Sequence, residues 1–433
     1  MKNIFTVKLI RERKSLRLIK LPFIVIFVMI STIVASGFGG VDIFGFSLKG
    51  YAWIMQFVLC LLLLFHKPKR ISFPWHLWSP WVCLVLVYLV LSPYENALQR
   101  STMIVCPIIV GAAVSRYSIR EAELQQFSKL CEYIALTFYV IIAFKSGILL
   151  LGVLPEITGL AAETMTGALL ATLFAVRYAY EKRRALFYWA GLSLIPIIAL
   201  TRTAIAATGL TLPATFAPLN FRKRIIIFII VAAIGIGIFY TERFQKKMFY
   251  SGEGTLADVS LSNPDLGTAG RVWLWELMEQ EVTLRPWFGH GANSSEEIVI
   301  AITDVLKHPH NDWLRLRYDY GYIGTFIFGL CLLIQVFHAL KQAGNVGGEN
   351  KIFFYIGASS FLPFVLFMFT DNIILYVSFF GNFQFTILGL AYAAQKTREI
   401  DTQRYLHMVS MTHLWNSLDK KHTGVNNISD CKE

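Results

Sequence analysis

Residues 308–338 read HPHNDWLRLRYDYGYIGTFIFGLCLLIQVFH, where a polar stretch runs directly into an apolar one. From Tyr320 onward the stretch holds no Asp, Glu, Lys or Arg, and an apolar run of about 20 residues lets a helix cross the hydrocarbon core of a bilayer. The first half brings His, Asn, Asp and Arg together beside that run. The sequence therefore predicts a transmembrane helix beginning near residue 320 and a functional segment just outside the membrane.

Apolar runs of the same kind recur along the whole chain. Of its 433 residues, 55% are hydrophobic and 16% are charged, whereas a soluble domain carries about 25% charged residues. Backbone groups in lipid must bond within the protein, which leaves helices or closed barrels, and continuous apolar runs favour helices. We predict an all-α polytopic membrane protein with about twelve transmembrane helices. The predicted spans are 21–39, 48–66, 75–92, 100–116, 127–145, 160–178, 185–201, 203–219, 225–240, 320–338, 352–370 and 374–394.

The charge pattern orients these spans. The formal net charge is +12, which in a soluble protein would suggest a nucleic-acid partner. Here Lys and Arg cluster before the first span and after every second span, whereas the short intervening connections are nearly uncharged. This asymmetry marks cytoplasmic loops. We therefore expect both termini in the cytoplasm and no nucleic-acid partner.

One external connection is much longer than the others. Between residues 242 and 312 it holds 11 acids against 6 Lys or Arg, and a long loop in a compact protein is usually functional. Within it, residues 272–284 predict an amphipathic helix and residues 251–269 a turn or mobile lid. The predicted regions are a basic cytoplasmic N-terminus (1–20), spans one to nine (21–240), the long loop (241–319), spans ten to twelve (320–394) and a weakly ordered cytoplasmic tail (395–433).

The spans carry almost no ionisable groups near their centres. Ion-coupled transporters and proton relays need such groups at mid-membrane depth. The pattern therefore disfavours a secondary transporter or a non-enzymatic polysaccharide flippase, and favours binding or chemistry at the outer face.

His310 is the candidate catalytic residue. An imidazole titrates near neutral pH and can take a proton from a hydroxyl. The alternative is a surface histidine without a role, but Gly321 and Gly324 permit close helix contact and would hold the start of the span rigidly. A metal site at His308 and His310 is a weaker alternative, because two imidazoles need further ligands and only nearby carboxylates are available. We expect no metal and no cofactor.

Two arginines are candidate phosphate-binding residues. Arg202 lies in a tight turn between two predicted spans, where a lone arginine is costly unless it is paired, and Arg271 lies early in the long loop. Guanidinium groups bind phosphates at two points. The alternatives are snorkelling of Arg202 to the interface and a loop salt bridge of Arg271 with Glu276. Together the two arginines would suit a lipid-linked pyrophosphate.

Other polar residues near the outer face have structural interpretations. The stretch PWFGHG at 286–291 is typical of a turn, and we do not expect His290 to be catalytic. Asp371 and Asn372, between the last two spans, and Arg100, before the fourth, could line the same pocket. For all three, a plain turn or interfacial role is favoured.

These motifs resemble the bacterial O-antigen ligase and O-antigen (or exopolysaccharide) polymerase superfamily, whose members have about twelve membrane helices, a GT-C-like fold and one long periplasmic loop. The family signature is a His-Asn pair, a Leu, an acid (usually Glu) and two glycines spaced three apart. Two arginines and a Pro-x-x-Gly-x-Gly turn accompany it. The matching positions here are His310, Asn311, Leu314, Asp319, Gly321, Gly324, Arg202, Arg271, Pro286, Gly289 and Gly291.

The resemblance implies a metal-independent glycosyltransferase at the periplasmic face of the bacterial inner membrane, with a donor glycan on undecaprenyl pyrophosphate. By analogy, Arg202 and Arg271 would hold the pyrophosphate as leaving group. His310 would act as general base or orient the acceptor hydroxyl, and the other signature residues would support it. A chain-length regulator is a further candidate partner.

Three reactions fit this resemblance, because a fold does not fix a reaction. A polymerase passes the glycan to another lipid-linked repeat, a ligase passes it to lipid A–core, and a protein-glycosylating relative passes it to a protein. The HPHND form of the motif makes the polymerase the main expectation and the ligase its alternative. A non-enzymatic transporter or flippase is the rival from another class.

Overall fold

The computed structural model describes residues 21–66, 70–150, 160–180, 183–304 and 306–425; the predicted N-terminal segment 1–20 and the last residues of the tail, 426–433, lie outside them. Nearly all regular structure in the described part is helical, which confirms the predicted all-α class. The helices are α1 (Phe23–Phe38), α2 (Leu48–His66), α3 (Ser79–Leu91), α4 (Ala97–Val114), α5 (Glu121–Leu150), α6 (Ala161–Ala179), α7 (Arg184–Ile198), α8 (Arg202–Leu210), α9 (Phe221–Phe239), α10 (Glu242–Met248), α11 (Arg271–Val282), α12 (Ser294–Thr303), α13 (Asp312–Asn345), α14 (Gly348–Ser359), α15 (Phe361–Met368) and α16 (Asn382–Val425). A short hairpin of β1 (Asp42–Ile43) and β2 (Phe46–Ser47) follows α1.

The predicted count of twelve membrane-crossing helices is not confirmed. Within the described residues, six helices are long and apolar enough to cross a membrane, and a seventh arises if α9 and α10, which meet at 78°, form one broken span. Every predicted span overlaps a helix, but α8 has only 9 residues and is about 14 Å long. The multi-pass helical architecture is confirmed, whereas the count of twelve is not.

The centre of the bundle is formed by α6 and the first part of α16. Residues 163–176 and 377–394 are all buried, and a helix that is apolar on every face is one that other helices surround. The opposite case is α9, where Phe239 is the one buried residue and isoleucines cover the exposed surface. Such a surface is expected where a helix faces lipid.

The helix α16 continues far beyond the bundle, to Val425. We expect a weakly ordered tail from residue 395 onward, and the described part of it, 395–425, is helical. Residues 395–423 contain neither Pro nor Gly, so nothing in them ends the helix that the apolar span begins. The polar residues therefore extend the last span as one continuous helix.

The long connection between α9 and α13 folds into three helices and several turns. The helix α11 agrees with the amphipathic helix predicted at 272–284, and residues 251–269 form mostly turns with one 3₁₀ segment, Leu256–Asp258. The helix α13 begins at Asp312, before the predicted start at 320, because the Asn311 side chain caps it and accepts the Leu314 amide at 3.1 Å. We call the end of the bundle that carries this connection the loop end.

Candidate active site at the loop end

The helix α13 is broken at Gly321, where the backbone has φ 68° and ψ −175°. Around the break, backbone groups that a continuous helix would pair internally bind the turn at 286–291 instead. Four hydrogen bonds join the two segments: Tyr322 N to Pro286 O (2.8 Å), Ile323 N to Trp287 O (3.2 Å), His290 N to Tyr318 O (2.8 Å) and Gly291 N to Asp319 O (3.0 Å). We call this contact between residues 286–291 and 318–323 the glycine junction.

Glycine is required on both sides of the junction. A Cβ atom at Gly321 would lie 2.2 Å from the Trp287 carbonyl oxygen, and one at Gly289, whose φ is also 68°, would lie 2.5 Å from the Gly321 amide nitrogen. Both residues also occupy a left-handed conformation that favours glycine. Gly321 therefore lets a loop approach, rather than serving the helix contact we expected. Gly324 does face a neighbouring helix, since a Cβ there would meet Leu84 at 3.1 Å.

Asp319 and Leu314 hold the helices of the long connection against α13. The Asp319 side chain is buried and accepts hydrogen bonds from Ser294 Oγ at 3.0 Å, from the Ser295 amide at 2.7 Å and from Ser295 Oγ at 3.1 Å. Leu314 is fully buried in a small core that α11 and α12 complete. Both side chains thus hold the helices of the long connection against α13.

His310 lies in the turn before α13 with φ 51°, a conformation that residues other than glycine seldom adopt. Neighbouring contacts hold it there. Trp275 Nε1 donates to the Pro309 carbonyl at 2.6 Å, and the buried Asp312 carboxylate accepts the Ile374 amide at 2.9 Å. The His310 side chain remains 27% exposed. Backbone strain of this kind clusters at functional sites.

The His310 ring faces the turn after α15. Its Nδ1 atom lies 3.4 Å from Asp371 Oδ1 and 3.2 Å from Asn372 Nδ2. A carboxylate only accepts hydrogen bonds, so Asp371 selects the tautomer with its proton on Nδ1 and leaves Nε2 free to accept a proton. The Asn372 amide would select the opposite tautomer, so the two residues compete for one atom. With Asp371 as partner, the imidazole can act as a base through its Nε2 atom.

His308, in contrast, is engaged in packing. Its Nδ1 atom lies 3.3 Å from Arg315 Nη2. Burial and then the positive charge of Arg315 lower the pKa of His308 to about 2. His308 and His310 therefore have different partners, and within the described ranges no group of three or more His, Cys, Asp or Glu is placed to hold a metal.

Arg271 contacts the same turn, and Arg202 lies close to Arg271. Arg202 Nη2 donates to the Gly267 carbonyl at 2.7 Å, and Arg271 Nη1 donates to the Thr370 carbonyl at 2.9 Å. Among the described residues neither arginine forms an ion pair, and the alternative salt bridge of Arg271 with Glu276 does not occur. Burial and then the charge of Arg271 lower the pKa of Arg202, so the two cations repel each other. An anion between them would relieve that repulsion.

Residues 370–372, which we call the site turn, join the arginines to the histidine. The Thr370 carbonyl accepts from Arg271, and the Thr370 hydroxyl donates to Thr203 Oγ1 at 2.7 Å, immediately after Arg202. The next residue, Asp371, faces His310. A phosphate bound by the arginines and a hydroxyl bound by His310 would therefore meet over this turn.

The site turn corrects one sequence-based interpretation. A plain turn role was favoured for Asp371 and Asn372, whereas both contact the His310 ring. The signal in the sequence is slight: an acid and an amide within a connection of otherwise apolar residues. Arg100, grouped with them, instead donates two hydrogen bonds to Glu296 at 2.9 and 3.2 Å and ties α4 to α12.

The fold and the site together define a multi-pass helical membrane protein with a cationic, imidazole-bearing site at one end. Residues 186–329 match the model of a family described as O-antigen ligase. This segment contains Arg202, Arg271 and His310. The match supports the resemblance to the O-antigen ligase and polymerase superfamily seen in the motifs of the chain.

Three rickettsial proteins named as candidate polysaccharide ligases are similar over shorter segments. The Rickettsia felis protein is 31% identical over 93 residues, 19% of this chain and 22% of that protein. The Rickettsia bellii protein is 28% identical over 108 residues, 22% of this chain and 24% of that protein. The Rickettsia conorii protein is 29% identical over 109 residues, 23% of this chain and 25% of that protein. The chain thus matches about a quarter or less of each relative.

Proposed function

We propose that this protein is a glycosyltransferase of the O-antigen ligase type. It transfers a glycan from undecaprenyl pyrophosphate to a hydroxyl of lipid A–core at the periplasmic face of the inner membrane, with both termini in the cytoplasm. The observation that carries the proposal is the site turn, which Arg271 and His310 both contact. A phosphate-binding cation and a base beside one turn are what displacement at a carbon bonded to pyrophosphate requires.

His310 begins the reaction as general base. Its Nε2 atom accepts the proton of the acceptor hydroxyl while the hydroxyl oxygen forms a bond to the anomeric carbon. The bond between that carbon and the pyrophosphate oxygen breaks, and its electron pair leaves with undecaprenyl pyrophosphate. Asp371 stabilises the resulting imidazolium. Because the attack comes from the face opposite the leaving group, the anomeric configuration inverts.

Arg202 and Arg271 stabilise the charge that develops on the leaving pyrophosphate. Guanidinium groups bind phosphate oxygens at two points, and a preorganised donor at a developing charge contributes about 10²–10³ in rate. Lys247 adds a third positive charge close to Arg202. These side chains supply the positive charge that a metal ion provides in other phosphate-binding enzymes, so the proposed reaction is metal-independent.

The acceptor distinguishes the ligase from the polymerase. The family description and the names of the rickettsial relatives favour the ligase, the alternative of the sequence-based interpretation, over the polymerase that was its main expectation. The polymerase is the second candidate because the HPHND form of the motif at 308–312 favours it. Both reactions use the same chemistry at His310 and the arginines.

A deletion strain tests the proposal, with lipopolysaccharide and lipid-linked intermediates compared in the same cells. For a ligase, lipid A–core loses all repeats and long chains accumulate on undecaprenyl pyrophosphate. For a polymerase, long chains disappear while a single repeat stays attached to lipid A–core. If both pools match those of the parent strain, both candidates are wrong.

A further inference from the structure

A cavity opens at the loop end, between the ends of α1, α5 and α6. Its volume is about 830 Å³, within the range of about 300–1,000 Å³ that ligand pockets occupy. Its rim is apolar and exposed, with Val140 at 69% and Phe144 at 66%. The cavity is therefore open toward the surface that the bilayer would cover.

Polar groups where α1 meets α6, beside this cavity, bind each other and the backbone. Ser36 Oγ lies 2.7 Å from Thr166 Oγ1, which donates to the Phe379 carbonyl at 2.7 Å. Ser36 and Phe379 both line the cavity. The hydroxyl donors of Ser36 and Thr166 already have partners in the protein and need no polar ligand. This part of the cavity therefore suits a hydrocarbon chain.

The charges at the cavity suit an anionic headgroup. Lys145 pairs with Glu163, and Lys49 also lines the cavity. In the part of the chain that the structure describes, Lys49 forms no ion pair. Two lysines against one glutamate leave an excess positive charge, which attracts phosphate groups.

Tyr376 connects the cavity to the proposed base. It lines the cavity, and its side chain lies close to Asp371 and Asn372, the two residues that face His310. Its ring packs against Phe379 with centroids 5.0 Å apart. Tyr376 therefore lies between the cavity and the two residues that face His310.

We propose that this cavity binds the acceptor, a phosphorylated and acylated glycolipid, with an acyl chain between α1, α5 and α6 and its sugar delivered past Tyr376 to His310. The inference rests on the proposed function. Two lipid substrates must reach one base while both hydrocarbon tails stay in the bilayer. Arg202 and Arg271 hold the donor at the Thr370 side of the 370–379 segment, so the acceptor enters at the Tyr376 side.

Kinetics of the full-length protein in proteoliposomes test this assignment. Ala162→Trp fills the cavity from α6 without removing a charged group, whereas Leu194→Trp adds the same side chain at a 56% exposed position on α7 outside the cavity. We expect Ala162→Trp to raise the KM for the acceptor about tenfold, equivalent to about 1.4 kcal/mol, with the donor KM unchanged. Leu194→Trp should change neither. An increase in donor KM, or no change in either, overturns the proposal.

A substitution at the rim covers the case in which Ala162→Trp does not fold. Phe144→Ala removes an exposed ring from the rim without placing a charge in the bilayer, so we expect it to fold and to raise the acceptor KM. Unchanged acceptor KM in this variant contradicts the assignment.

Photolabelling separates this inference from the proposed function. A lipid A probe with a diazirine in one acyl chain should label peptides 35–41 and 140–145, and unlabelled lipid A, but not undecaprenyl pyrophosphate, should compete. Labelling elsewhere, or competition by the polyprenyl lipid alone, overturns the acceptor site. If these peptides are labelled while the wild type transfers no glycan, the lipid site is supported and the proposed function is wrong.

Discussion

The glycine junction and the site turn both contact the N-terminal part of α13 and its preceding turn, yet their polar groups differ. At the junction, four backbone hydrogen bonds pair the groups that the helix break exposes, and glycine occupies the positions where no side chain fits. At the site turn, Arg202 and Arg271 lack carboxylate partners among the described residues, and the buried Asn372 Oδ1 atom has no hydrogen-bond partner there. A region whose polar groups are all hydrogen-bonded within the protein contributes stability. A region whose polar groups lack partners can bind a ligand through them.

The sharpest test of this difference compares two histidines. His310→Ala removes the proposed base, so we expect transfer to fall about 10²–10⁴-fold while the melting temperature stays close to that of the wild type. His290→Ala is the matched control, because that ring stacks on Tyr318 within the junction and has no proposed role in the chemistry. Equal losses of transfer in the two variants would remove the distinction between the regions.

The junction itself is tested with two glycines of α13. Gly321→Ala puts a Cβ atom 2.2 Å from the Trp287 carbonyl oxygen and forces a left-handed conformation, which costs about 1–3 kcal/mol. We expect a lower melting temperature and less folded protein. Gly329→Ala, where no atom lies within 4 Å of the new Cβ, should have no such effect. Similar melting curves for both variants would contradict the junction.

Arg271→Lys tests the unpaired cations of the site. Lysine cannot bind the Thr370 carbonyl and a phosphate with one planar group, so we expect kcat/KM for the donor to fall about tenfold or more. Arg285→Lys, an exposed substitution in the same long connection, should leave the rate unchanged. Full activity of Arg271→Lys would mean that Arg271 only holds α11 against the site turn and does not bind phosphate.

The smallest predicted effect concerns His308 and pH. Burial lowers its pKa from 6.5 to about 2, so below about pH 6.5 the unfolded chain binds a proton that the folded protein excludes, and stability falls as the pH falls. We expect His308→Gln to lose less melting temperature than the wild type between about pH 7 and pH 5. His66 is exposed, so His66→Gln should retain the wild-type pH dependence of the melting temperature. If His308→Gln also retains it, the lowered pKa of His308 is contradicted.

The sequence predicts the helical membrane class and the chemical types at the site, but not how the motifs divide their roles. Apolar runs identify helices because a bilayer forces backbone pairing, and His310 with two arginines stands out from those runs. The sequence does not reveal that Gly321 and Gly289 meet across the chain, since their spacing in sequence carries no information about that contact. For the same reason the sequence does not reveal that Asp371 contacts His310, which lies 61 positions away.

The most direct test of the central claim is a reaction with purified protein, a lipid-linked glycan donor, an acylated acceptor, a chelator and no ion gradient. The proposed chemistry predicts glycosylated acceptor and free undecaprenyl pyrophosphate in equal amounts from the wild type, and neither product from His310→Ala. Absence of product from the wild type, or the same yield from His310→Ala, would contradict a transfer reaction at the site turn.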